Sequence, residues 1–186
     1  MKDKQWSFYS DEELMKWFCD GANEAFEELY KRYYSKLLYF ILHSTAFIED
    51  EAKDILQDVF LKLIEKKDSF DTDKKFSVWL YSITNNMYKN LLKYKSIRVK
   101  ATKEALLQER SETPKVVGIN QNKVVREALK IMRPIHKQVF ILRFNFGFSI
   151  RETSIILEIS EGTVKSRLHY CIQSLRRTED IKELRY

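Results

Sequence analysis

The sequence predicts an all-α protein made of two small helical domains joined by a flexible linker. Only four Gly and two Pro occur among 186 residues, which leaves turn-rich β architectures poorly supplied and favours helices. Apolar residues recur three and four positions apart through most of the chain, the period of helices with one buried face. Charge is divided between the halves: residues 1–95 carry 15 Lys/Arg against 17 Asp/Glu, and residues 96–186 carry 18 against 10. The net +6 is therefore concentrated in the second half, which suits a polyanion such as nucleic acid, although a merely solvated basic surface has the same composition.

Ser10 followed by Asp11, Glu12 and Glu13 makes a capping box that starts a short helix through about Cys19, and Gly21 ends it. From Asn23 to about His43, Phe26, Leu29/Tyr30, Tyr33, Leu37 and Phe40/Ile41 line one face of a long helix. A third helix, about Glu49 to Lys67, carries Ala52, Ile55, Val59 and Leu63 as its core stripe. Leu56, Phe60 and Ile64 lie beside that stripe, so more than one surface must cover the helix. The polar stretch from Lys67 to Lys75 reads as a loop. Phe76, Leu80, Ile83, Met87, Leu91 and Tyr94 form the stripe of a fourth helix, which completes an N-terminal bundle.

Periodicity fades across residues 96–120, around Pro114 and Gly118, so the domains are placed at 1–95 and 121–186 with a linker at 96–120. A single helical turn is expected within it, at about Glu104 to Gln108. The second domain resumes with Val124, Val125, Ala128 and Met132, breaks at Pro134, and continues through Ile135, Val139, Leu142 and Phe146 to a stop at Gly147. Ser149 and Ser160 cap two further helices.

No apolar run approaches the roughly 20 residues of a membrane span, and MKDKQWSFYSDEE lacks an apolar signal core, so a cytoplasmic protein is expected. Cys19 and Cys171 have no CxxC spacing and no ligand-patterned His beside them; reduced thiols are expected, with no metal and no cofactor. His43, His136 and His169 are scattered, and no phosphate loop, nucleophile elbow or HExxH motif is present. The chain is expected to be no enzyme and to take no small-molecule substrate.

The span from Ser149 to Leu157, the tight connection Glu158-Ile159-Ser160 and the longer span Glu161 to Arg177 have the proportions of a helix-turn-helix. Near the start of the second helix stand Glu161, Gly162, Thr163, Lys165, Ser166, Arg167 and His169. Small residues let backbone approach a phosphate, and Lys or Arg reaches a base edge. Val164 and Leu168 are expected to point inward. A capped amphipathic helix with a solvated basic face fits the same pattern.

The string EGTVKSRLH, with LRFNFGFSIRETSIILEIS before it and YCIQSLRR after it, closely resembles region 4 of the sigma-70 family, nearest its extracytoplasmic-function branch. The resemblance implies duplex binding at the minus-35 promoter element through Thr163, Lys165, Ser166, Arg167, His169 and Tyr170, with Arg143 and Arg151 on the DNA backbone. The sequence departs from the family at Glu158, where Gly is frequent, at Ser154 for Ala, and at Tyr170-Cys171 for Arg-Ala. A Glu158 turn is strained if it needs a left-handed residue.

In the first half, Asp54, Gln57, Asp58 and Leu61 lie at i, i+3, i+4 and i+7, on a face that the core stripe leaves free. An acidic stripe with an apolar centre suits a basic partner helix; a solvated face has the same spacing. On the next helix, Trp79, Tyr81, Asn85, Tyr88, Lys89 and Lys93, with Asn86, interleave rings, amides and cations. Such a face stacks and holds single-stranded DNA, or is plain core.

NEAFEELYKRYY, DEAKDILQDVFLKLIEKKDSF and KFSVWLYSITNNMYKNLLKY resemble region 2 of the same family. This implies that Asp54, Gln57, Asp58 and Leu61 dock on the clamp helices of the largest subunit of core RNA polymerase, whose flap meets region 4. It further implies that Trp79, Tyr81, Asn85, Tyr88, Lys89 and Lys93, with the loop Asp68 to Lys75, open the minus-10 element and hold a flipped base. Asn90 and Lys93 replace the Asp and Arg common in the family, and Ile64 replaces Trp. The implied partners are core RNA polymerase, promoter DNA and an anti-sigma factor, which can hold such a chain at the membrane, away from the nucleoid. Two rivals are a conventional helix-turn-helix regulator and an interaction module that occupies polymerase without reading DNA.

Overall fold

The computed structural model describes residues 5–44, 47–101, 129 and 132–183, with backbone alone at 95–101 and 177–183. Its regular elements are helical throughout the described residues. Helix α1 (Asp11–Cys19) starts at the foreseen capping box: the Ser10 hydroxyl accepts from the Glu13 amide at 3.2 Å, and the Glu13 carboxylate accepts from the Ser10 amide at 2.7 Å. Gly21, at φ 95°, turns the chain into α2 (Asn23–Ser44). Helices α3 (Glu49–Glu65) and α4 (Phe76–Ala101) follow. The connection between them is not all loop, because Lys67–Ser69 wind into a 3-10 turn.

Leu14 and Met15 of α1, Leu29, Leu37 and Ile41 of α2, Ala52, Val59 and Leu63 of α3, and Phe76 and Leu80 of α4 are fully buried together. Each large side chain so placed contributes about 1.5–3 kcal/mol. Arg32 ties the N-terminal 3-10 turn (Trp6–Phe8) to this bundle, donating to the Tyr9, Trp6 and Ser7 carbonyls and pairing with Asp11 at 2.8 Å and Glu28 at 2.9 Å.

Helix α4 departs from its expected form in two ways. It runs on to Ala101, through residues assigned to the linker. No Gly or Pro interrupts residues 76–101, so the helical backbone continues where the apolar periodicity fades. Its stripe is also different: Tyr94 is 58% exposed, while Tyr81, Thr84, Asn85 and Tyr88 are buried. The reason is a second covering surface, supplied by the C-terminal half. The helical turn expected at Glu104 to Gln108, and the apolar positions Val124, Val125 and Ala128, lie outside the described residues.

In that half, α5 (Pro134–Phe140) begins with Pro at its first turn, where a missing N–H costs nothing. Ile141–Asn145 continue as a π-helical turn in which the Phe146 amide reaches back to the Ile141 carbonyl at 3.1 Å. Gly147, at φ 73°, ends it. Helices α6 (Ile150–Leu157) and α7 (Glu161–Glu183) form the helix-turn-helix. Ser149 and Ser160 cap them, accepting from the amides of Glu152 and Thr163, each at 3.1 Å. Glu158 adopts φ 55°, the one non-glycine positive φ among the described residues, so the strain foreseen at this turn is present.

The Glu13 carboxylate is held below its ordinary pKa by the Ser10 amide and hydroxyl. For Glu152, burial works the other way, but bonds from Lys75 and Ser149 outweigh it and the pKa is again lowered. A lowered folded pKa means that these contributions are complete above the unfolded value of 4.5 and vanish as pH falls through the folded values. The urea midpoint is therefore expected to drop on acidification below 4.5, and to drop less in a Ser10→Ala, Ser149→Ala variant. An equal drop in both proteins would contradict this account of the caps.

Candidate functional site

On α3, Asp54, Gln57 and Asp58 are exposed and Leu61 is 57% exposed, so the four residues share one accessible face as their spacing requires. The aromatic bank beside it is less evident in the sequence. Tyr30 packs at a tilt against Phe60 at 4.5 Å and Tyr34 at 5.2 Å, and these rings with Lys53, Asp54 and Gln57 line a groove between α2 and α3. Its signal was the i, i+4 pair Tyr30 and Tyr34. Tyr30 was assigned instead to the core stripe of α2, and Ile64, placed in a buried stripe, is 42% exposed on α3.

On α4, most of the residues expected to meet a DNA strand are covered. Tyr81, Asn85 and Tyr88 are buried; the Tyr81 ring lies 5.4 Å from Phe40 in its own bundle and 5.2 and 5.1 Å from Phe146 and Phe148 of the C-terminal half. Gln138 donates to the Tyr88 hydroxyl, which in turn donates to Asn85 Oδ1 at 2.8 Å. Burial pushes the hydroxyl pKa of both tyrosines upward. Lys89 gives its ammonium to Glu158 at 3.3 Å and to the Leu157 carbonyl at 3.1 Å. Trp79 is half-buried against Phe70 at 5.0 Å and Phe76 at 6.0 Å, so it packs the loop onto the helix. Lys93 is exposed. In this arrangement the edge of the face is accessible and its tyrosines are covered.

The start of α4 is fixed from a distance. Glu12 of α1 accepts from the Phe76 amide at 2.8 Å, satisfying one of the helix's orphan donors and anchoring the loop before it.

On α7, Lys165, Ser166 and His169 are exposed in a row with Gly162 and Gln173, and Val164 is buried beneath them. The Thr163 hydroxyl lies 2.9 Å from Ser160 Oγ and belongs to the helix cap. Arg167 is half-buried; burial, with the charges of Arg133 and Arg167, holds the His136 pKa below its ordinary value. Tyr170 stacks on His136 at 5.3 Å with the rings 8° from parallel, tying α7 to α5 while half its surface stays open. The Cys171 thiol is buried and donates to the His136 carbonyl at 3.3 Å. Arg143 is half-buried and bonded to the Phe148 carbonyl, whereas Arg151 is exposed. The accessible row is therefore narrower than the set implied by resemblance: Lys165, Ser166, His169 and Tyr170 face outward.

Among the described residues no cluster could hold a metal ion, and no helix is long and apolar enough to cross a membrane.

Residues 29–97 match the family description Sigma-70 region 2, and residues 123–169 match Sigma-70, region 4. The chain is 26% identical over 166 residues to the RNA polymerase sigma factor CarQ of Myxococcus xanthus, covering 87% of this chain and 93% of that protein. It is 27% identical over 173 residues to the ECF RNA polymerase sigma factor SigW of Bacillus subtilis, covering 84% and 90%. Among solved structures, the sigma factor RpoE in complex with the anti-sigma factor NepR from Bartonella quintana aligns with TM-score 0.71 and 22% identity, over 84% of this chain and 97% of that one. CnrH in complex with the cytosolic domain of CnrY aligns with TM-score 0.64 and 22% identity, over 92% and 97%.

Proposed function

Since the chain belongs to the sigma-70 family of RNA polymerase sigma factors, of the extracytoplasmic-function type, and so serves promoter-specific initiation, we propose that three surfaces divide that work. The α3 face of Asp54, Gln57, Asp58 and Leu61 binds the clamp helices of core polymerase. The outward row of α7, Lys165, Ser166, His169 and Tyr170, binds the minus-35 duplex. The α4 face, Tyr81, Asn85, Tyr88, Lys89 and Lys93, with Trp79 supporting the loop before it, captures the minus-10 strand once the C-terminal half has moved away. The linker, placed at residues 96–120 by the sequence, threads between the two domains near the polymerase cleft.

The observation that carries this reading is the exposed Lys165, Ser166 and His169 row, held by buried Val164 on a capped helix. Promoter melting then needs no hydrolysis, because a protein with greater affinity for the open strand shifts the duplex toward it. An anti-sigma protein is a further partner, by extension from the two solved complexes.

In the polymerase holoenzyme, Lys165→Ala is expected to weaken minus-35 duplex binding roughly 5- to 150-fold, the equivalent of about 1–3 kcal/mol for a base-edge contact. Fluorescence anisotropy on labelled duplex measures it. Unchanged affinity in both Lys165→Ala and Ser166→Ala would refute the assignment of this row.

A further inference from the structure

We propose that Glu12 of α1 is a positioning residue for strand capture: by capping α4 from outside, it holds the turn at residues 71–74 in the shape that meets a minus-10 base. The proposal rests on the reading of α4 and its preceding loop as the strand-capturing face.

Helix α4 starts without a cap of its own. Lys75 stands just before it and accepts the Trp79 amide on its carbonyl at 3.3 Å, but a lysine side chain has no acceptor to offer the orphan amides of the first turn. Glu12, 64 positions earlier in the chain, supplies that acceptor to the Phe76 amide at 2.8 Å. A carboxylate at this end also meets the positive end of the helix dipole.

Glu12 can set a position because its own is fixed. Ser10 and Glu13 close the capping box on either side of it, and Asp11 pairs with Arg32 at 2.8 Å and accepts from the Tyr33 hydroxyl. The Tyr33 ring in turn packs on Phe76 at 5.4 Å. The ring and the amide of Phe76 are thus held by α2 and α1 respectively.

The loop before α4 passes this constraint on. Asp71 accepts from the Asp73 amide at 3.1 Å through its side chain and from the Lys74 amide at 3.0 Å through its carbonyl, and it pairs with the Lys74 ammonium at 3.1 Å. A turn closed on itself in this way moves as a unit, so its two ends place it. One end is Phe70, packed on Phe76 and Trp79; the other is the junction of Lys75 and Phe76 that Glu12 holds. Glu12 also lines one recess with the exposed Thr72, Asp73 and Lys74. A loop ordered in advance spares the strand the cost of ordering it, and apparent affinity falls in proportion as the competent fraction falls.

The test uses holoenzyme assembled from the full chain and core polymerase, with a randomised single-stranded DNA library as ligand. Strand affinity and the base preferences of the bound pool are read beside the urea midpoint of each free chain. Glu12→Ala is expected to lower strand affinity about 3- to 10-fold and to flatten the preference at one position. Glu12→Gln, which keeps a carbonyl acceptor at the same reach, is expected to stay within about 2-fold of the wild-type chain and to keep its preference. Glu12→Asp, which keeps the charge but withdraws the carboxylate by one methylene, is expected to shift affinity in the same direction as Glu12→Ala, and it replaces that variant if Glu12→Ala does not fold. Ile41→Val, which removes a methyl group from the buried core of α2, is expected to lower the urea midpoint and leave the base preference intact. Unchanged affinity and preference in Glu12→Ala, a loss in Glu12→Gln as large as in Glu12→Ala, or the same flattening in Ile41→Val would overturn the positioning role. A wild-type holoenzyme with no base preference at any position would instead overturn the strand-binding reading of α4.

Discussion

Replacing Leu61 with aspartate is expected to remove assembly with core RNA polymerase while leaving the chain folded. Leu61 is 57% exposed, on the side of α3 opposite the buried Ala52, Val59 and Leu63, so no native core contact is lost. It is the apolar centre of a face whose other members, Asp54, Gln57 and Asp58, are acidic or polar. Anchors of this kind, closed off from water by a polar rim, carry about 2–4 kcal/mol of an interface, which is roughly 30- to 1,000-fold in affinity. The new carboxylate adds a desolvation penalty and nothing for an apolar pocket to hold. Titration of labelled core polymerase checks the loss, and an unfolding curve checks the fold, whose stability is expected to stay within about 0.5 kcal/mol. Undiminished binding would remove this face from the polymerase interface. Asp58→Ala is expected to act in the same direction with a smaller effect and to spare duplex binding.

Phe76→Ala is expected to cost about 3–5 kcal/mol of stability, the range for truncating a fully buried aromatic ring. Phe76 has no exposed surface, and its ring meets Tyr33 at 5.4 Å, Phe70 at 5.7 Å and Trp79 at 6.0 Å. Backbone collapse cannot readily fill the cavity, because the Phe76 amide is fixed by Glu12 and the helix begins at this residue. Loosening should spread to the loop at residues 68–75, whose Phe70 packs on the same ring. Urea denaturation monitored by circular dichroism measures the cost; a change below about 1 kcal/mol would mean that the site relaxes to fill the gap.

What could be read in the sequence depended on how local each cause was. The caps at Ser10 and Ser149 depend on residues three positions apart and were legible. So was the α3 face, because exposed acids at helical spacing need no partner to be recognised. The left-handed Glu158 could be suspected from a missing glycine, but its reach to Asn86 and Lys89 could not, since those residues lie on another helix. The same distance explains α4. Its periodicity was read against one bundle, whereas Tyr81, Asn85 and Tyr88 are buried with the help of Phe146, Phe148 and Gln138. Arg167 is half-buried among exposed neighbours, a difference that the family string alone does not reveal.

The most direct test of a three-surface initiation factor is run-off transcription with purified core polymerase, read together with chemical probing of unpaired thymines at the promoter. With the wild-type chain, initiation at a defined start site and an open minus-10 region are expected. The Leu61→Asp chain should give neither. Duplex binding by the chain without specific initiation or strand opening in the presence of polymerase would contradict the account and favour a conventional helix-turn-helix regulator.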